Sequence, residues 1–286
     1  MTPIIPFIKK IAFPECVVAN YKNLREKTVV LGTIARACAI FRIEEIFFFK
    51  SPFMTAIDRE KEHRRVNQIL SYIETPQYLR KQLFPIQKEL AHVGELPPLA
   101  TPHHPDRAHS KLKEGDIREG LVTVLDGNVV AYVGSKKPVP VQNPPPVSLK
   151  DKELRMTLRV VKNNGEFSSE IVSRKTVSPS YYSGYRIKYL QTSLGRWKDE
   201  KYLFVATSRR GIDYKKLQEE ELKEKKKESM IIFGSATRGL HEFLRVENRT
   251  MEQLGWTCVN TVPNAGVRSV RLEEALLISL ARLNDL

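Results

Sequence analysis

Cysteine is nearly absent from this chain: three occur in 286 residues, Cys16, Cys38 and Cys258, each far from the others. That number and spacing exclude a disulfide framework and a cysteine-built zinc site, so all three read as reduced thiols. No apolar run reaches the roughly 18 residues of a membrane-spanning helix. The first residues (Pro3, Pro6, Lys9, Lys10) lack the unbroken apolar core of a secretory signal. A soluble, cytoplasmic protein with no membrane partner is expected. There is no Walker loop, no His-Glu-x-x-His motif, no Ser/His/Asp order and no repeat of fixed period. His103, His104 and His109 share a proline-rich stretch with no cysteine or carboxylate set at ligand spacing, so no metal is expected. Acidic residues are the other shortage: 33 Asp plus Glu face 47 Lys plus Arg, a formal charge of +14. A polyanionic partner suits that balance, whether RNA, DNA or an anionic membrane surface.

What is present is a chain long enough for about two domains. Residues 28–31 read as a strand, 32–42 as a helix with Ile34, Cys38 and Phe41 on one face, and 46–49 as a second strand. A further helix is expected from about Asp58, with Val66, Ile69, Leu70 and Ile73 on its apolar face and Pro76 marking its end. From His92 to about Arg174 the pattern becomes alternation in short runs, 120–125, 128–133, 154–161 and 167–172, with Asp126-Gly127 and Asn164-Gly165 as hairpin turns. The proline-rich stretch 137–146 reads as a loop on this unit. The expected architecture is an α/β domain over 1–90 and 178–286. Residues 91–177 form an inserted small antiparallel β-barrel, OB-like in type. Residues 202–207 and 230–234 resume the α/β pattern, and the Glu- and Lys-rich stretch 217–228 between them reads as a solvated helix.

Three strand-end loops share one composition: Ala206-Thr207-Ser208-Arg209-Arg210-Gly211, Phe233-Gly234-Ser235-Ala236-Thr237-Arg238-Gly239-Leu240, and Pro263-Asn264-Ala265-Gly266. In an open α/β sheet such loops line the ligand crevice, and small residues let backbone groups approach a ligand closely. The third loop leads into a C-terminal helix with Leu272, Leu276, Leu280 and Leu283 at helical spacing. Its pattern Gly266-x-Arg268-x-x-Arg271-x-Glu273-x-Ala275 resembles the last motif of the α/β-knot (SPOUT) RNA methyltransferases. Phe233-Gly-Ser-x-x-x-Gly-Leu and Gly32-x-Ile-Ala-Arg36-Ala are similar to two other motifs of that family.

The resemblance covers about residues 1–90 and 178–286, and the β insertion matches an archaeal and eukaryotic branch of the family. It implies a deep trefoil knot, S-adenosylmethionine as cofactor, an RNA substrate and a homodimer through the knot domain. It places the cofactor against Thr207, Gly234, Val262, Pro263, Gly266, Val267 and Val270. Arg36 is implied as a catalytic residue that reaches the partner's pocket, with Glu273 as a candidate for proton management. The same spacing is similar to that of a bacterial SPOUT branch that methylates uridine N3 in ribosomal RNA, which implies that acceptor atom. One departure stands out: Asn264-Ala265 replaces the usual Gly-Gln. It favours an alternative, a non-catalytic RNA-binding or ribosome-assembly protein with a degenerate knot domain.

For the RNA surface, residues 171–198 hold no acidic residue and interleave Arg174, Lys175, Arg186 and Lys188 with Tyr181, Tyr182, Tyr185, Tyr189 and Trp197. Cations meet phosphates and aromatic faces stack on unpaired bases, so Arg174, Lys175, Tyr185, Arg186, Lys188 and also Arg268 are candidate RNA contacts. The competing reading of the same stretch is a β-edge whose tyrosines pack inward.

Overall fold

A computed structural model describes residues 8–104, 111–145, 153–174, 177, 181–217 and 228–285. These divide into two compact units: 8–73, 88–97 and 184–285 form the larger, and 74–87 with 98–183 the smaller.

The larger unit begins with strand β1 (Lys10–Pro14), helix α1 (Leu24–Ile40), strand β2 (Glu45–Lys50) and helix α2 (Ala56–Glu74), whose last residue, Glu74, counts with the smaller unit. Residues 28–31, expected as a strand, belong to α1. Asn23 caps the helix by accepting from the Glu26 N–H at 2.9 Å, and the Glu26 carboxylate accepts from the Lys22 N–H at 3.0 Å. With the start fixed there, Leu31, Ile34, Ala35 and Cys38 bury at helical spacing, which overrides the strand preference of Val29 and Val30. The strand that opens the sheet is β1, whose Ile11, Ala12 and Phe13 are fully buried. Helix α2 buries Val66, Ile69, Leu70 and Ile73 and stops before Pro76.

Pro76 sits at the N-cap of helix α3 (Gln77–Leu83), which belongs to the smaller unit. Strands β3 (Ile117–Leu125), β4 (Asn128–Tyr132), β5 (Val139–Pro140), β6 (Leu154–Asn163) and β7 (Glu166–Ile171) follow. They form an antiparallel sheet in the order β5-β4-β3-β6-β7. A bridge between Val141 and Ser169 brings its two edges together, so the sheet is nearly closed. Asp126 and Gly127 (φ 49° and 78°) and Asn164 and Gly165 (49° and 89°) take the paired positive φ of tight hairpin turns. Val122, Ala131, Val133, Val139, Val141 and Leu158 fill the interior.

One side of this unit is tied by charge. Glu119 is buried and receives Arg155 at 3.1 Å, Arg174 at 3.0 Å and the Thr157 hydroxyl at 2.6 Å, while Arg155 also holds Glu74 at 2.6 Å. Burial pushes the Glu119 carboxyl up, but the Arg174 and Arg155 guanidiniums outweigh it and hold its pKa below the ordinary value. His103 and His104 both turn Nε2 to the Glu74 carbonyl, at 3.2 and 2.7 Å. Burial and then the neighbouring His103 push His104 down to about 4. Among the described residues no group of three metal-ligating side chains is assembled, and His109 lies outside them.

The chain returns to the larger unit with strands β8 (Arg186–Ser193), β9 (Tyr202–Asp213) and β10 (Glu228–Ile232). Helix α4 (Leu240–Val246), strand β11 (Thr257–Asn260) and helix α5 (Leu272–Asn284) complete it, with α5 packed against α1. The six strands are parallel, in the order β11-β9-β10-β1-β2-β8, so all their C-terminal ends meet one edge. The expected Glu- and Lys-rich helix lies outside the described residues over 218–227. No described helix is long and apolar enough to cross a membrane.

Candidate cofactor and substrate site

The three loops picked out by composition follow, or in one case interrupt, the neighbouring strands β9, β10 and β11. In the pairing of β11 with β9, Cys258 faces Ala206 but Val259 faces Ile212, so residues 207–211 bulge out of the ladder. Gly211 makes the return possible: a Cβ there would lie 2.4 Å from the Val259 carbonyl carbon. The Thr207 hydroxyl anchors the start of the bulge on the Ile232 carbonyl at 3.0 Å. The second loop folds on itself through Ser235 N–H to the Arg238 carbonyl at 2.8 Å, and a Cβ on Gly234 would come within 2.6 Å of that oxygen. Asn260 laces the first loop to the third, donating to the Arg209 carbonyl at 3.3 Å and accepting from the Val262 N–H at 3.0 Å. The Arg209 guanidinium closes the link by donating to the Arg268 carbonyl. Asn264 adopts a φ of 59°, a left-handed conformation that asparagine tolerates better than most residues, which accounts for its place in the turn.

Together the loops and the first turn of α4 enclose a cavity of about 550 Å³. Arg209, Arg210, Arg238 and Arg245 line it, and among the described residues none of the four forms an ion pair. The acid on the wall, Glu242, is engaged as a helix cap, accepting from the Gly239 N–H at 3.1 Å. His241 also lines the cavity, and its Nε2 is buried with no hydrogen-bond partner. A buried polar atom left unmade is costly, so this nitrogen marks a position for a ligand or a water. The unpartnered nitrogen sets His241 apart from a histidine satisfied within the fold.

Of the expected cofactor contacts, Thr207, Gly234, Val262 and Val270 line the cavity. Pro263, Gly266 and Val267 stand outside that wall: Gly266 and Val267 are exposed, and a Cβ on Gly266 would meet nothing within 4 Å. Arg36 is exposed on α1, away from the lining. Glu273, in the first turn of α5, accepts from the Tyr21 hydroxyl at 3.3 Å and does not line the cavity. Burial first, and then Glu273, push the Tyr21 pKa up.

The expected RNA stretch needs more correction. Tyr185 is buried and donates to the Leu70 carbonyl at 2.9 Å, so it presents no face to RNA. Tyr182 and Trp197 are buried too, and the Tyr189 hydroxyl bonds the His63 carbonyl at 3.2 Å. Most of the aromatic side chains interleaved with these cations pack inward. Arg174 is neutralised by Glu119 within the small unit, and Lys188 pairs with Glu45 at 2.5 Å. Arg186 is exposed at the sheet edge, Arg268 is exposed on the third loop, and Lys175 lies outside the described residues. The sequence alone does not single out Arg210, Arg245 or Asn260 as individual contacts. Arg210 stands within a loop already singled out, but nothing in the sequence says which side of that loop faces the cavity.

Fold and cavity together define a class: a parallel α/β protein with a cation-lined, small-ligand crevice where its strand ends meet. The chain belongs to the family described as "Putative RNA methyltransferase", which matches residues 9–283, and it is an RNA methyltransferase. It is 30% identical to a human 28S rRNA (uridine-N(3))-methyltransferase over 97% of this chain and 78% of that protein. The mouse protein of the same name is 30% identical over 97% and 76% of the two chains. An uncharacterized protein of Halobacterium salinarum is 29% identical over 96% of this chain and 98% of its own length.

Proposed function

We propose that this enzyme moves a methyl group from S-adenosylmethionine to N3 of a uridine in ribosomal RNA, using an α/β-knot larger unit and an OB-like smaller unit that binds RNA. The observation that carries the reading is the cavity itself, formed by three glycine-containing loops at the shared edge of a parallel sheet. Its size falls in the ordinary range for small-ligand sites of roughly 300–1,000 Å³. Main-chain groups of Gly234, Val262 and Val270, the hydroxyls of Thr207, Ser208 and Ser235, and the unpartnered His241 Nε2 offer hydrogen bonds suited to an adenosine and an amino-acid tail. When bound, the cofactor supplies an electrophilic methyl on a positively charged sulfur. The protein has to align the acceptor and manage a proton. N3 of uracil carries a weakly acidic proton, and negative charge spreads to the carbonyl oxygens as it leaves. Arg210, Arg238 and Arg245 can stabilise that charge. The names of the human and mouse relatives support N3 as the atom.

A homodimer belongs to this reading. Val29 and Ile40 on α1 are 47% and 53% exposed, and together with Thr33 and Arg36 they recur at helical spacing. Burying that stripe against a second copy would carry Arg36 into an interface, as the family resemblance implies. Nucleoside mass spectrometry after incubation with labelled cofactor tests the acceptor: label in N3-methyluridine is expected, and label only in guanine or ribose-methylated nucleosides overturns the atom. Light scattering tests the dimer, and a fully active monomer removes Arg36 from the mechanism.

A further inference from the structure

The loop between β2 and α2 carries an aromatic ring at the border of the core, part of it left open to solvent. Phe53 is 37% exposed, with Pro52 exposed beside it and Ile57, 81% exposed, four residues on in the first turn of α2. The Arg238 guanidinium, one of the cavity-lining groups, lies over the Phe53 ring at 4.3 Å from its centroid. Phe243 meets the same ring edge to face at 5.2 Å. An exposed ring paired with a cation beside a basic cavity has the composition of a stacking platform for nucleic acid.

The loop is also held firmly. Buried Glu15, just past the end of β1, accepts from the Ser51 N–H at 2.9 Å, from the Arg59 guanidinium and from His63 Nε2 at 2.6 Å. Arg59 in turn donates to the Ser51 carbonyl at 3.1 Å and the Met54 carbonyl at 3.4 Å. Backbone on both sides of Phe53 is therefore clamped to one buried carboxylate. A ring presented to solvent by so constrained a loop is preorganised for a partner, which lowers the entropy cost of binding.

We propose that the Phe53–Arg238 pair is a stacking subsite for an unpaired nucleotide adjoining the methylated one. The inference rests on the RNA methyltransferase reading and adds where the strand lies as it enters the site. A base on the Watson–Crick edge can be methylated only when unpaired, so its neighbours are also free to stack. Arg238 then serves both the nucleotide and the cavity.

The test uses the full chain with Phe53→Ala, Phe53→Leu and Phe53→Trp, a short single-stranded oligouridylate as probe, and a methylatable RNA. Stacking is worth about 1–3 kcal/mol per base, so the KM for RNA should rise at least about fivefold in the alanine and leucine variants. S-adenosylmethionine affinity, measured in the same variants, should stay within about twofold, because the lost contact is with RNA. The tryptophan variant should keep a normal KM, and its added emission should be quenched by the oligouridylate. Leucine preserves most of the bulk against Phe243, so this comparison holds even if the alanine variant unfolds. A normal KM for RNA in Phe53→Leu, or emission of Phe53→Trp unmoved by saturating oligouridylate, overturns the subsite. If the wild type methylates no RNA, the methyltransferase reading falls, while the quenching measurement still decides the subsite.

Discussion

Arg155 and Arg174 in the smaller unit are shared among Glu74, Glu119 and Thr157, every contact between 2.6 and 3.3 Å. At the cavity of the larger unit, Arg209, Arg210, Arg238 and Arg245 stand without an ion pair among the described residues. The same side chain thus does two jobs. Where guanidiniums meet buried carboxylates, they satisfy charge that burial would otherwise penalise, and the result is a fixed fold. Where they line a solvent-open cavity with its single acid committed to a helix cap, they leave a positive field for a ligand to neutralise. The overall +14 hides this difference, because it counts both sets alike.

The largest expected effect is at Glu119. Replacing it with alanine strips two arginines and Thr157 of their shared acceptor, which should cost about 3 kcal/mol in urea unfolding. A pH effect accompanies it. The folded carboxyl has a lowered pKa, so its contribution is fully present above the unfolded value of roughly 4.3 and fades as pH falls through the folded value below it. Glu119→Gln should flatten that acid limb of the stability curve; an unchanged limb would mean that the network is not the titrating element.

Next comes Gly211. Alanine there meets Val259 backbone that cannot yield cheaply, so a loss of about 1–3 kcal/mol is expected together with weaker cofactor binding by calorimetry. Gly266→Ala is the matched control: with open space around it, stability should stay within about 0.5 kcal/mol. Equal losses in the two variants would mean that the third loop is packed as tightly as the first.

Tyr185→Phe should lower stability by about 1 kcal/mol through the hydrogen bond to Leu70, with RNA affinity unchanged. A drop in RNA affinity without a drop in thermal stability would return Tyr185 to the binding surface. The smallest stability effect belongs to the cavity arginines. Arg210→Ala should leave unfolding within about 0.5 kcal/mol and lower the salt slope of RNA binding by about one if it meets a phosphate. A marked destabilisation instead would show that the cavity arginines are structural, and the contrast between the units would fail.

Much of the fold is legible because local rules carry it. Alternation and the Asp126-Gly127 and Asn164-Gly165 turns mark the hairpins, and helical spacing marks α2 and α5. Residues 28–31 misread because β-branched Val29 and Val30 fit a strand locally, while Asn23 and Glu26 upstream start a helix. The aromatic stretch 181–197 misread for a different reason: a run of tyrosines looks alike whether it faces bases or a core, and Leu70, which receives the Tyr185 hydroxyl, lies 115 residues away.

By itself the sequence determined what depends on residues close along the chain: the charge surplus, the hairpin turns, the helical faces and the small-residue composition of the three loops. Only the tertiary structure decided which arginines meet an acid. It also set Phe53 against Arg238 and turned the Gly266 segment away from the cavity wall. Those outcomes rest on contacts between segments distant in sequence, such as Arg155 with Glu74 and Arg209 with Arg268. No local propensity or periodicity encodes such distances, because the pairing exists only once the sheets have brought the segments together.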